Sequence, residues 1–216
     1  MDFKYFINLI PILGVGALTT IELTILSAVL GLFFGLILAF MRISNNILMS
    51  KISGAYIYVI RGTPLLLQLF IIYYGLPSMG LKLSPFLAAI SGMSLNSAAY
   101  VAEIIRSGIQ SIDRGQIEIT KALGMTYFQS MRRIILPQAY RRMIPPMGNE
   151  FIALLKDSSL VSTIAMVDLM RVATQMYADS FKPVEVFTLA GIYYLLLTSI
   201  FTITFGKLER RLSIYE

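Results

Sequence analysis

The sequence predicts an all-α membrane protein of five transmembrane helices, N-terminus outside and C-terminus inside, with one structured loop on the inner side. Three observations carry that reading. Of the 216 residues 56% are hydrophobic and only 14% charged, against a soluble average of about 25% charged, and the mean hydropathy is +0.74. Five stretches, 10–41, 52–76, 85–105, 135–155 and 186–206, are apolar enough and long enough for a bilayer, which needs about 20 residues per helix. With the N-terminus outside, twelve Lys and Arg fall in inner segments and five in outer ones, with Arg61 inside a span. That bias obeys the positive-inside rule. It also accounts for the net charge of +6, so the basic balance needs no nucleic acid to explain it.

The first stretch is longer than a bilayer requires, so it tilts or begins in the outer interface. Asp2 and Lys4 make a poor cationic leader, and no small-x-small end follows the apolar run, which predicts a retained helix rather than a signal peptide. Within it, Gly31-Leu-Phe-Phe-Gly35 permits a close helix contact. In the second stretch Pro64 removes a helical hydrogen bond and Gly62 loosens the backbone, so the span is expected to break there. The inner loop, about 107–142, reads as two short helices hinged at Gly124. Asp113-Arg-Gly-Gln116 and Thr126-Tyr-Phe-Gln129 have the form of capping boxes, and Gly124 suits the position just past a helix end. Phe128, Met131, Ile134 and Ile135 fall on one apolar face, and Pro137 is expected to stop or bend the chain. Segment 160–181, interrupted by Asp168, Arg171 and Asp179, is amphipathic and predicted to lie outside as one or two short helices.

Function classes narrow by absence. Without cysteine there is no disulfide framework, thiol catalysis or thiolate metal site. Without histidine the commonest general base and metal ligand is missing. No Gly-x-x-x-x-Gly-Lys-Ser/Thr phosphate loop occurs, and no inverted repeat of the secondary-transporter type is visible.

Ionisable groups inside a membrane cost about 2.5–3.5 kcal/mol at a helix centre on insertion scales, so each needs a reason. Glu150 lies well inside the fourth span, where it can hold an ammonium or guanidinium group or pair with Arg61 or a backbone amide freed by Pro145-Pro146. Glu103 lies seven residues after Asn96, two turns along one helix face. The pair can line one cavity wall, or Glu103 can pair with Arg106. Arg61 opens the Arg-Gly-Thr-Pro turn, where it and Thr63 can meet a ligand or where the arginine snorkels to the headgroups. Gln68, a turn on, is a polar wall candidate. Glu22, in the outer half of the first span, pairs or faces water. Lys156-Asp157-Ser158-Ser159 closes the fourth span as a gate, as a contact for an external partner protein or as a solvated helix end.

The loop segment Glu118-Ile-Thr-Lys-Ala-Leu-Gly124, with Ile134 ten residues after the glycine and Leu136-Pro137 following, resembles the coupling loop of binding-protein-dependent ABC importers. Three further stretches resemble the polar amino-acid branch: Arg61-Gly-Thr-Pro-Leu-Leu-Leu-Gln-Leu-Phe70, Ala98-Ala-Tyr-Val-Ala-Glu-Ile-Ile-Arg106 and Asn149-Glu-Phe-Ile-Ala-Leu-Leu-Lys-Asp-Ser-Ser-Leu160. Together they cover the chain from about Thr19 onward. One departure is Glu-Ile-Thr at the start of the loop, where the family's motif has Glu-Ala-Ala.

The resemblance implies one transmembrane permease domain over 1–216 in a bacterial inner membrane, dimerising with a second permease subunit, expected to be identical. It implies no cofactor in this chain, with ATP and Mg held by a separate ATPase, and an external amino-acid-binding protein. Glu118, Ala122 and Gly124 would form the ATPase-coupling element. Glu150, Glu103, Asn96, Gln68, Thr63 and Arg61 would be the substrate-binding candidates. Two carboxylates with only Arg61 nearby favour a cationic amino acid such as arginine, lysine or histidine, because like charges repel strongly in a low-dielectric site. Glutamine remains open, since one carboxylate can take an α-amino group. The competing classes are a non-pumping channel or scaffold, a secondary transporter and an intramembrane enzyme.

Overall fold

The computed structural model describes residues 3–213, and these are helical with no strand. Helix α1 (Phe3–Ile43) is 41 residues long, about 60 Å at 1.5 Å per residue. It therefore begins earlier than the hydropathy pattern predicts. Helix α2 (Ile47–Arg61) ends at Gly62, and α3 (Leu65–Phe70) starts after Pro64. The chain turns by 101° between these two arms, which is the expected break in the second stretch. From α3 it continues through a π-type turn and a 3₁₀ turn to Gly80, whose φ is +87°.

Helix α4 (Pro85–Gln110) is the central element, packed on by α1, α2, α3 and α7 (Leu136–Asp157). Helix α9 (Pro183–Ser213) packs against α7 and α1. By length and composition α1 and α9 can each cross a membrane, and the bent α2–α3 arm makes a third if its two parts count as one span. The helices at the third and fourth predicted stretches, α4 and α7, have 26 and 22 residues but are less apolar. The reason for α4 is its place: Gly92, Ser94, Asn96, Ser97 and Gly108 are buried in protein, where small and polar residues let helices approach. Val15, Leu18, Val29, Phe33 and Phe40 of α1 stand exposed on the outside, and Glu22 shares that exposed side.

The two glycines of the Gly31–Gly35 pair lie against Ser97 and Val101 of α4. A Cβ on Gly35 would sit 2.6 Å from Val101 Cγ1 and 3.0 Å from the Ala98 carbonyl. Gly35→Ala is expected to destabilise the protein by about 1–3 kcal/mol through overpacking. Gly206→Ala is the control, since its methyl meets nothing within 4 Å. Thermal unfolding in detergent tests this, and equal midpoints for Gly35→Ala and wild type would refute it.

After Ser158–Ile164, a 3₁₀ segment, Asp168 caps α8 (Leu169–Ser180) by accepting from the Met170 and Arg171 amides at 3.1 and 2.9 Å. The Leu169 amide donates to Thr20 Oγ1 at 3.1 Å, tying α8 to α1. The Tyr194 hydroxyl is buried beside Asp168, Thr20 and Ser158 without a hydrogen bond of good geometry. Burial raises the Asp168 pKa from the usual 3.8 to about 6, against the two capping amides that lower it. The folded chain therefore binds this proton more tightly than the unfolded chain. Stability falls as pH rises from about 4 to 6, by about 3 kcal/mol at 1.36 kcal/mol per unit, and stays lower above. Asp168→Asn retains a good N-cap residue and should flatten that dependence. Identical pH slopes of the unfolding midpoint for the two proteins would refute the assignment.

The loop after α4 forms α5 (Arg114–Ala122) and α6 (Tyr127–Ser130), followed by a π-type turn, Met131–Ile135, that leads straight into α7. Gly124 has φ +72°. Its amide reaches the Lys121 carbonyl and that of Met125 reaches Thr120, both at 3.0 Å, the double bond of a Schellman cap. The Thr126–Gln129 capping box is complete. At Asp113 the expected box does not form: the carboxylate accepts from the Gly115 amide at 2.6 Å, an ordinary N-cap bond, and the Gln116 amide binds the Asp113 backbone carbonyl instead. Of the two outcomes expected at Pro137, the stop does not occur, because the wider π-type turn precedes it and the proline falls in the first turn of α7, where a missing amide costs little. Phe128 leaves the apolar face, being 70% exposed, whereas Ile135 is buried and Met131 and Ile134 are partly buried.

Candidate functional site

The break in the second stretch builds the polar centre of the molecule. Ending α2 at Gly62 frees carbonyls that α3 cannot satisfy, and a buried unpaired carbonyl costs about 1–3 kcal/mol. Gln68 closes the gap. Its Nε2 donates to the Ile60 carbonyl at 2.8 Å, to Thr63 Oγ1 at 2.9 Å and to the Thr63 carbonyl at 3.2 Å. Its Oε1 accepts from Asn96 Nδ2 at 3.0 Å. The Thr63 hydroxyl in turn donates to the Val59 carbonyl at 2.9 Å. Gln68, which reads in the sequence as a wall residue, is buried and staples the bend to α4.

Beside this staple lies a polar cavity of about 530 Å³, lined by Arg61, Gly62, Thr63, Pro64, Leu65, Asn96, Tyr100, Glu150, Ala153, Leu154, Asp157 and Leu160. Its size is within the ordinary range of small-molecule sites, about 300–1,000 Å³. Four predicted residues, Arg61, Thr63, Asn96 and Glu150, therefore converge from α2, the bend, α4 and α7. Glu150 accepts from Ser97 Oγ at 2.8 Å, and Arg61 lies over the Tyr100 ring, 5.1 Å from its centroid. Glu150 is not ion-paired with Arg61. A carboxylate so placed keeps acceptor capacity for an incoming cation.

Glu103 does not share this cavity, so it and Asn96 do not line one wall. It belongs to a neighbouring cavity of about 440 Å³ with Arg42, Tyr58, Arg61 and Arg106. There both its oxygens accept from Arg106 Nε at 3.0 Å, which is the ion-pair reading of that residue. A third cavity of about 490 Å³ is apolar, between α1, α4, α7 and α9, and reaches Ser97 and Glu150 from the other side.

At the far end of α4 the 114–130 loop makes a second surface. Glu118, Ala122 and Gly124 are all exposed. Leu123, Tyr127 and Phe128 around them are 70–73% exposed, so the knob has an apolar face that no described residue covers, held by its two caps.

The family described as "binding-protein-dependent transport system inner membrane component" matches residues 6–214. The chain belongs to this family. Its relatives include the arginine transport system permease protein of Bacillus subtilis, 41% identical over 213 residues, covering 98% of this chain and 97% of the relative. The glutamine transport system permease protein of Escherichia coli is 37% identical over 207 residues, covering 95% and 94%. Among solved structures, that of an amino acid ABC transporter with histidines superposes with a TM-score of 0.94 at 40% identity, covering 98% of this chain and 99% of the other. The protein is thus an inner-membrane permease subunit of a type I ABC importer, a transport subunit and not an enzyme.

Sequence reasoning missed several residues that this permease brings together. Ser97 and Tyr100 were readable as the α4 neighbours of Asn96, at one and four residues' distance, but neither carries a charge to draw notice. Asp157 stands at the end of the fourth span in the sequence, while its place in the polar cavity follows from how α7 meets the bend. Leu123 lies within the loop motif and Tyr127 and Phe128 just after it, and only their exposure marks them.

Proposed function

We propose that this permease pairs with a second, identical subunit, each with five membrane spans, N-terminus outside and C-terminus inside. Together they form the transmembrane pathway of an ATP-driven amino-acid importer working by alternating access. An ATPase that holds ATP and Mg docks on the 114–130 loop through Glu118, Ala122 and Gly124, and an external binding protein delivers the substrate. Nucleotide binding would draw the loops together and open the polar cavity outward, and hydrolysis would reverse the motion. The substrate class we propose is the cationic amino acids arginine, lysine and histidine.

The observation that carries the substrate reading is the charge of the polar cavity. Glu150 and Asp157 line it against one arginine, which is held on Tyr100. A guanidinium or imidazolium can take charge-assisted hydrogen bonds from Glu150, with Asn96 and Thr63 as neutral walls. The names of the arginine-transporting relative and of the structure with histidines agree with this. The relative named for glutamine favours a second reading, in which Glu150 receives the α-amino group of a neutral amino acid. Gln68 supports the site by fixing the bend, and Glu103 stands apart from it.

Binding of radiolabelled arginine, glutamine and glutamate to the purified permease–ATPase complex tests the reading. Arginine is expected to bind well ahead of glutamate. Glutamate binding as tight as arginine would overturn the substrate class. A permease that purifies without any ATPase when the two are co-expressed would favour a non-pumping channel or scaffold.

A further inference from the structure

The polar cavity and the cavity around Glu103 share Arg61 and Gly62 as a common wall, yet their charges are opposite. Glu150 and Asp157 make the first acidic. The second holds Arg42, Arg61 and Arg106 against Glu103 alone. Only Arg106 is neutralised, by Glu103. Arg42 donates to Ser50 Oγ at 3.0 Å and Arg61 rests on an aromatic ring, so neither has a carboxylate partner among the described residues. This basic cavity lies toward the end of α4 that carries the 114–130 loop, since Arg106 is near the end of that helix and Arg42 near the end of α1.

We propose that the basic cavity is a second amino-acid subsite, which takes the α-carboxylate of the substrate on Arg42 and Arg61 as it leaves the polar cavity. The inference rests on the reading that the cargo is an amino acid passing through the polar cavity. A zwitterion suits two adjoining chambers of opposite sign, its ammonium end belonging to the first and its carboxylate to the second. Guanidinium groups recognise a carboxylate through two parallel hydrogen bonds. Arg61, on the shared wall, can turn from Tyr100 toward either chamber, so it hands the carboxylate on without leaving it unpaired. Both arginines are exposed, and an exposed guanidinium binds weakly and is screened by salt, which suits a site of release. Because the α-carboxylate is common to all amino acids, this subsite selects the backbone end and leaves side-chain choice to the polar cavity.

The test measures equilibrium binding of arginine, glutamine and their α-carboxamides to the permease–ATPase complex in phosphatidylcholine nanodiscs. Two components are expected for the acids, the weaker one absent for the carboxamides and diminished at high salt. Arg42→Gln should weaken that component at least tenfold while the tighter Kd holds, and Arg42→Lys should restore part of it. A single component, or a weak component equal for acid and carboxamide, overturns the proposal. So does a weak component that survives Arg42→Gln, or one that phosphatidylglycerol added to the nanodiscs abolishes, because a lipid phosphate is then the occupant. If the tighter component proves indifferent to Glu150→Gln while the weak, carboxylate-dependent one persists, the polar-cavity reading falls and the subsite stands.

Discussion

Glu150→Gln is expected to weaken arginine binding to the permease–ATPase complex by about 10- to 150-fold. The figure follows from a hydrogen bond to a charged group, worth about 1.5–3 kcal/mol, at about 1.4 kcal/mol per tenfold. The substitution is nearly isosteric, and the contact from Ser97 Oγ can pass to the amide oxygen, so the fold should survive. Glutamine is the useful comparison. If its binding and that of arginine both fall, Glu150 holds the α-amino group common to them. If arginine alone falls, Glu150 faces the side chain. Unchanged binding of both would remove Glu150 from the site and leave it as the partner of Ser97. Asp157→Asn, on the same cavity but a turn or two along α7, should give a smaller loss because it is nearer the end of the helix.

The second large effect is expected at the loop. Glu118→Lys or Gly124→Arg should leave expression, membrane insertion and the unfolding midpoint near wild type, yet abolish transport and the stimulation of ATP hydrolysis by loaded binding protein. The structural ground is that both residues are exposed and an atom added at Gly124 meets nothing within 4 Å. A side chain at φ +72° adds local strain of about 1 kcal/mol, too little to unfold the bundle. On the docking proposed above, the change falls on the contact face, where a new cation and bulk would meet the ATPase beside exposed Leu123, Tyr127 and Phe128. Leu123→Asp should act in the same direction, since it places a charge on the apolar part of the knob. Variants that still show full substrate-stimulated hydrolysis would show that coupling runs elsewhere.

The loop was the most legible part of this chain. Its capping residues Asp113 and Thr126, its hinge glycine and its exposure follow from local rules, because helix ends are settled by the few residues around them, although only Thr126 forms the full box. The break at Gly62–Pro64 was legible for the same reason. The errors lie where a residue's fate depended on what packs against it. Phe128 fits an apolar period yet turns outward, and Pro137 fits a stop signal yet falls in the first turn of a helix widened before it.

The site divides in the same way. Sequence marked Arg61, Thr63, Asn96 and Glu150 as costly or polar in an apolar setting, and all four meet in one cavity. It equally marked Gln68 and Glu103, which the fold assigns to the staple and to the neighbouring basic cavity. By itself the sequence determined that the chain is an α-helical membrane subunit, where its second stretch breaks and which loop stands out exposed. Those properties depend on composition and on contacts within a few residues. Only the tertiary structure decided which polar groups face a cavity and which face each other. Residues as far apart as Ser97 and Glu150 come within hydrogen-bond distance only through helix packing, and no local pattern specifies that.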